Sequence, residues 1–200
     1  MSMAKVGFPA PAFLCDGVVN NEIKKVSLDD YAGKYKLLFF YTLDFTFVCP
    51  TELQALQEKI EEFRKRDVEV LAISVDSAYA HLAWLNLPIK QGGILGVNYI
   101  LLADITKSIS KDYGVLHEGL GVAQRGTFLL DKDNIVQYAA INNLQLGRSI
   151  DELVRLVDGL KNVEQYGEAC PANWREGDRL IGTDQKGLSK YFGGEEKTTL

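Results

Sequence analysis

The chain has 200 residues, 46% hydrophobic and 24% charged, enough apolar material for a full core in one globular domain with appended tails. A net charge of -5 and a pI near 5.1 present no basic face to nucleic acid or to an anionic membrane, and apolar runs such as KLLFFY are too short to cross a bilayer. The opening MSMAKVGFPAPAF lacks both a secretory h-region and an Arg-rich amphipathic pattern, so a cytoplasmic protein is expected; there, Cys15, Cys49 and Cys170 point to redox or catalytic use rather than stapling disulfides.

In chain order, residues 36–41 form a short apolar, aromatic run bounded by polar residues, which predicts a strand buried on both faces. Residues 51–66 carry Leu53, Leu56, Ile60 and Phe63 at steps of three and four, the pattern of an amphipathic helix. Pro50 suits the N1 position of that helix, which puts Cys49 at or beside the N-cap. Strands are predicted at 68–75 and 100–102, and short helices at 77–85 and 107–113. Residues 127–130 and 135–141 flank the turn-forming DKDN as a hairpin. Ser149 with Glu152 opens a further helix through a capping box. Residues 182–200, Gly-rich and mostly polar, read as a loose tail. Strands interleaved with helices, plus one hairpin, imply an α/β sandwich with a mixed sheet.

A cysteine in the first turn of a helix meets converging backbone N–H groups and the positive end of the helix dipole. Both favour the thiolate, and such positions lower a thiol pKa from about 8.5 toward about 3.5–7.5. A free cysteine also serves as a small buried hydrophobe. Thr46, three residues earlier, is placed to hydrogen-bond the sulfur or an incoming oxygen, or simply to cap the loop.

The segment FYTLDFTFVCPTE (40–52) strongly resembles the peroxidatic loop of the typical two-cysteine peroxiredoxins, and GEACPANW (167–174) resembles their resolving-cysteine segment. GFPAPAF, SVDSAYAHLAW (74–84) and NNLQLGRSIDE (142–152) extend the likeness over nearly the whole chain. The resemblance implies a thioredoxin-like fold, a central mixed β-sheet flanked by helices, with a peroxidase domain at 1–165 and a C-terminal arm at 166–200. By position it makes Cys49 the peroxide-attacking thiolate and Cys170 the resolving thiol. Thr46 and Arg125 become hydrogen-bond donors at the sulfur, and Glu52 and Arg148 the partners that orient Arg125. Arg148 otherwise reads as a solvated residue at a helix start.

It further implies hydrogen peroxide and alkyl hydroperoxides as substrates, and a Cys49–Cys170 disulfide between the subunits of a homodimer, with decamers of five dimers common. Thioredoxin or a similar dithiol is the expected reductant, and no metal, flavin or haem is implied. Two departures stand out. Thr42 replaces the proline that shields the sulfur in the family, and QGGILG (91–96) keeps Gly92 and Gly93 but carries Leu95 where the family has glycine. Tyr191 and Phe192 resemble the pair on the family's C-terminal helix. Cys15, His81 and His117 read as structural or surface residues, and Trp84 and Trp174 as packing residues. The competing readings are a cysteine hydrolase using His81 or His117 as base, and a chaperone or oxidation-relay role alongside peroxidase activity.

Overall fold

In the computed structural model, which describes residues 3–193, Asn20 and Asn21 both take positive φ, 51° and 61°. This two-residue turn joins β1 (Leu14–Val19) to β2 (Glu22–Ser27) as an antiparallel hairpin, because positive φ at both positions matches the twist of the flanking strands. The hairpin is absent from the expected elements, since Asp16, Lys24 and Lys25 interrupt the apolar signal. The chain continues through β3 (Tyr35–Phe40), α1 (Val48–Glu58), α2 (Ile60–Lys65), β4 (Val68–Ser74), α3 (Ala78–Leu85) and β5 (Ile100–Ala103). Then come α4 (Ser108–Asp112), β6 (Leu116–His117), β7 (Val122–Ala123), β8 (Arg125–Leu130), β9 (Val136–Asn142), α5 (Ile150–Tyr166) and α6 (Gln185–Phe192).

Seven strands make one sheet in the order β2-β1-β5-β4-β3-β8-β9, with β3, β4 and β5 parallel at the centre and the outer pairs antiparallel. All six residues of β3 are buried, as the uninterrupted run at 36–41 predicted for a strand covered on both faces. Its one charged residue, Lys36, has no solvent exposure; it donates from Nζ to Asn134 Oδ1 at 2.5 Å, and burial lowers its pKa. Leu38, Phe40, Leu71, Ile73, Leu102 and Phe128 centre the core. Phe40, Tyr113 and Phe128 meet there ring to ring, with centroids 5.0–5.8 Å apart.

The predicted helix at 51–66 is two helices. Lys59, at φ -103° and ψ 3°, breaks the regular ladder, and its N–H turns back to Leu56 and Gln57 carbonyls before α2 begins. The first of them opens at Val48, earlier than expected, so Cys49 is its second residue and Pro50 its third; proline is still tolerated, because first-turn N–H groups have no intrahelical acceptor. Ser77 caps α3 by accepting from Ala80 N–H at 3.2 Å.

The chain divides into two compact units, Met1–Ile150 and Asp151–Leu200, so all of α5 after its first residue groups with the C-terminal segment. Within that segment Trp174 is buried, its Nε1 donating to Asp178 O at 3.0 Å, and Ala169 bridges Ile181. The expected loose tail contains α6, capped by Asp184 Oδ1 accepting from Gly187 N–H at 2.6 Å; the cap supplies the start signal that composition conceals. Residues 194–200 of that predicted tail lie outside the described residues. No helix among the described residues is long and apolar enough to cross a membrane.

Gly93, in the loop after α3, meets the backbone of Leu87 so closely that a Cβ would stand 2.0 Å from the Leu87 oxygen. Backbone cannot yield as a side chain tip can. Gly93→Ala is therefore expected to cost about 2 kcal/mol or more, read as a lowered urea midpoint with unchanged slope.

Candidate active site

The parallel centre of the sheet sets the place. β3 delivers the chain into the loop 41–47 at its carboxyl end, and α1 starts directly after it, the crevice position at which α/β sheets carry their sites. β8 runs antiparallel to β3 with Phe39 opposite Thr127, so the first residue of β8, Arg125, reaches the same end of the sheet.

Cys49 is fully buried in the first turn of α1. Arg125 Nη1 lies 3.3 Å from its sulfur and also donates to Glu52 Oε2 at 2.8 Å, while Arg125 Nε is anchored on Leu144 O at 2.7 Å. Glu52, one turn along the helix from Cys49, is 3% exposed and holds both guanidiniums. Arg148 gives Glu52 Oε1 its backbone N–H and its Nε, each at 2.9 Å, and gives Oε2 its Nη2 at 2.9 Å. Its Nη1 reaches Gly126 O and Thr127 Oγ1, and its guanidinium stacks on the Phe39 ring at 3.2 Å. Arg148 is thus a buried linchpin and not a solvated helix-start residue.

Burial alone would push the Cys49 thiol up, but hydrogen bonds from Thr46 and Arg125, the Leu43 N–H and the Arg125 charge outweigh it and hold the thiol below its ordinary value. Thr46 Oγ1 also lies 2.9 Å from Leu43 O, so its single proton serves either the carbonyl or the sulfur. By contrast Cys15 is pushed up to about 12 by burial and by Asp104, and remains a thiol. Cys170 belongs to the C-terminal unit, where burial raises it and Arg155 lowers it.

Sequence reasoning missed the contributions made by backbone. The Leu43 N–H and the Leu144 carbonyl carry no side-chain signature. It also missed the buried cluster that pins the loop: Tyr41 Oη donates to Asp44 Oδ1 at 2.8 Å, His81 Nδ1 meets Asp44 Oδ2 at 2.8 Å, and Asp44 N–H donates to Asp76 at 2.9 Å. Phe45, held at φ 56°, packs on Trp84 with ring centroids 5.8 Å apart. Both ring nitrogens of His81 are occupied, the second by Leu102 O at 3.1 Å, and His117 Nδ1 accepts from Leu120 N–H at 3.3 Å. Neither histidine is among the groups that act on Cys49, so neither is paired with it as a hydrolase base. Trp84 is buried and donates to Gly92 O at 2.8 Å, a packing role as expected.

Residues 6–139 match the family model described as AhpC/TSA family, and residues 159–194 match that of the C-terminal domain of 1-Cys peroxiredoxin. The chain belongs to the AhpC/TSA family. It is a peroxiredoxin, a thiol-dependent peroxidase on a thioredoxin fold. Peroxiredoxin-4 of Dictyostelium discoideum is 52% identical over 184 residues, covering 92% of this chain and 71% of that protein. The mitochondrial thioredoxin-dependent peroxide reductase of Homo sapiens is 50% identical over 183 residues, covering 92% and 72%. The reduced 2-Cys peroxiredoxin of Plasmodium vivax superposes with a TM-score of 0.92 at 45% identity, covering 94% of this chain and 98% of that one.

Within this peroxiredoxin the Thr42 hydroxyl is buried without a hydrogen-bond partner, although the next residue's N–H serves the sulfur. An unpaired buried hydroxyl costs about 1–3 kcal/mol, so Thr42→Val, which keeps the shape, is expected to raise stability by about 1 kcal/mol in urea. Ionisation of Cys49 runs with pH in a defined sense. Because the folded thiol ionises below the free one, its contribution to stability is full above the free-thiol value and is lost as pH falls through the folded value. The peroxide rate rises with pH over that lower range and then levels. Arg125→Ala is expected to move this rise to higher pH and to cut the plateau by about thirty- to a thousand-fold, by analogy with loss of one oxyanion-hole donor.

Proposed function

We propose that the enzyme reduces hydrogen peroxide and alkyl hydroperoxides through a Cys49 sulfenic acid, that Cys170 of a second subunit resolves it as a disulfide, and that thioredoxin or a similar dithiol reduces the disulfide. The observation that carries the reading is Arg125 Nη1 lying 3.3 Å from the Cys49 sulfur while fixed by Glu52. The thiolate attacks one peroxide oxygen; an S–O bond forms, the O–O bond breaks, and the leaving alkoxide or hydroxide takes a proton to become alcohol or water. Arg125 and the Thr46 hydroxyl face the charge that develops on the leaving oxygen. Glu52 and Arg148 hold Arg125 in place.

The full burial of Cys49 supports a second element of the reading. No other thiol reaches that sulfur until the first turn of α1 opens, and disulfide geometry asks for Cα atoms about 4.4–6.8 Å apart. A homodimer is supported by β9, which closes one edge of the sheet with Gln137, Ala139 and Ile141 exposed, a template for a second copy. Exposed Phe45, Tyr79 and Ile105 supply further apolar surface for assembly into a decamer. Each cycle consumes a dithiol, which suits a reducing compartment and the cytoplasm in particular.

Cys49→Ser is expected to abolish peroxide consumption in a thioredoxin-coupled assay; retention of more than a trace would refute the assignment. Cys170→Ser is expected to keep the first oxidation and stop coupled turnover. After one equivalent of peroxide the wild type then runs as a disulfide-linked dimer on a non-reducing gel and the variant as a monomer.

A further inference from the structure

The C-terminal unit builds a seat for its cysteine from one face of α5. Arg155 clamps Glu152 with two bonds of 2.7 Å, Nε to Oε2 and Nη2 to Oε1, and its Nη1 donates to Trp174 O at 3.0 Å. Cys170 Sγ itself lies 4.0 Å from Pro171 O, and the Arg155 charge acts on it, opposing the effect of burial. One turn further along the helix, a Cβ built on Gly159 would stand 3.3 Å from that sulfur and 3.9 Å from two carbons of the Trp174 ring. The sulfur therefore rests against bare helix backbone, where glycine leaves room for it, with Trp174 alongside.

We propose that Arg155 is the positioning residue of the resolving thiol: through the Trp174 carbonyl it fixes the segment that lays Cys170 Sγ and the Trp174 ring over Gly159, and its charge stabilises the thiolate both when it attacks the sulfenic acid and when a dithiol displaces it. The proposal rests on the reading of Cys170 as the resolving cysteine. In resolution the Cys170 thiolate attacks the Cys49 sulfur; the S–S bond forms, the S–O bond breaks, and the departing hydroxide takes up the proton released by the Cys170 thiol to leave as water. In reduction a thiolate of the reductant attacks the Cys49 sulfur and the S–S electron pair goes to Cys170, which leaves as thiolate; the reductant's second thiol then frees Cys49. Both steps gain from a cation at Cys170, because the thiolate is the nucleophile in one and the leaving group in the other.

The surrounding charges argue for the role. Burial pushes the Cys170 thiol up and Arg155 opposes it. Glu152, paired with Arg155 at 2.7 Å, offsets part of its charge. In the adjoining loop, Asp178 accepts from the Arg175 N–H and Glu176 accepts from Asn162, and neither acts on the sulfur. A half-exposed Arg155–Glu152 pair by itself contributes little to stability, so the third bond of the guanidinium, to Trp174 O, sets its place beside the cysteine segment.

The test is the pH profile of Cys170 alkylation by iodoacetamide in the full chain carrying Cys15→Ser and Cys49→Ser, compared among Arg155, Arg155→Gln, Arg155→Lys and Glu152→Gln. The expected midpoint rises by about one pH unit in Arg155→Gln, stays near the parent in Arg155→Lys and falls in Glu152→Gln. With Cys15 and Cys49 restored, stopped-flow mixing with hydrogen peroxide is expected to show an unchanged first oxidation and disulfide formation slowed about tenfold in Arg155→Gln. Glu152→Gln carries the test should Arg155→Gln fail to fold. Identical midpoints in parent and variants, with a Cys49–Cys170 disulfide present in oxidised wild type, overturn the proposal alone. Absence of that disulfide overturns the resolving assignment and the proposal with it.

Discussion

The site depends on a buried carboxylate that two guanidiniums share. Glu52 alone among its neighbours is negative, and Arg125 and Arg148 leave the cluster one positive charge in excess. A buried net charge is costly, and ionisation of Cys49, one helical turn away, removes it. The thiolate is thus part of what makes the cluster acceptable to the fold. Glu52 gains a second purpose from the same geometry: with Oε1 taking two bonds from Arg148 and Oε2 one, the carboxylate is fixed, and the remaining site on Oε2 sets where Arg125 Nη1 points.

The sheet supplies the rigid frame for this arrangement. β3 lies between a parallel and an antiparallel neighbour, which places the start of β8 beside its end and brings Arg125 to the loop that carries Thr46 and Cys49. Phe39, on the same strand, takes the Arg148 guanidinium on its ring face. The loop itself is held by Tyr41, Asp44, His81 and Asp76, a buried network away from the sulfur. One strand therefore sets the positions of both arginines and the exit path of the loop. The backbone N–H of Leu43 arrives at the sulfur because that exit path is fixed.

Much of this was legible from residues. The six buried residues of β3 and the amphipathic spacing of Leu53, Leu56, Ile60 and Phe63 each follow from a period that a single sequence displays. Arg125 reaches the Cys49 sulfur and Glu52, and Arg148 reaches Glu52, so these residues of the resemblance share one place in the fold. What remained hidden had a physical reason in each case. The β1–β2 hairpin is set by the conformation of Asn20 and Asn21 and not by apolar alternation, and the break at Lys59 leaves no mark because lysine is a good helix former. Leu43 N–H and Leu144 O act through the main chain, whose placement no residue type announces. Thr42 was visible as a departure, but that its hydroxyl is buried without a partner is a property of packing.

The folded site favours the Cys49 thiolate because Glu52 and Arg148 hold Arg125 against it. The most direct measurement is the ultraviolet absorbance of the thiolate as a function of pH in the full chain with Cys15→Ser and Cys170→Ser, with and without Glu52→Gln. The parent midpoint is expected below that of a free thiol, coinciding with the pH rise of the peroxide rate, and at a different pH once Glu52 no longer orients Arg125. A parent midpoint at or above the free-thiol value would contradict it.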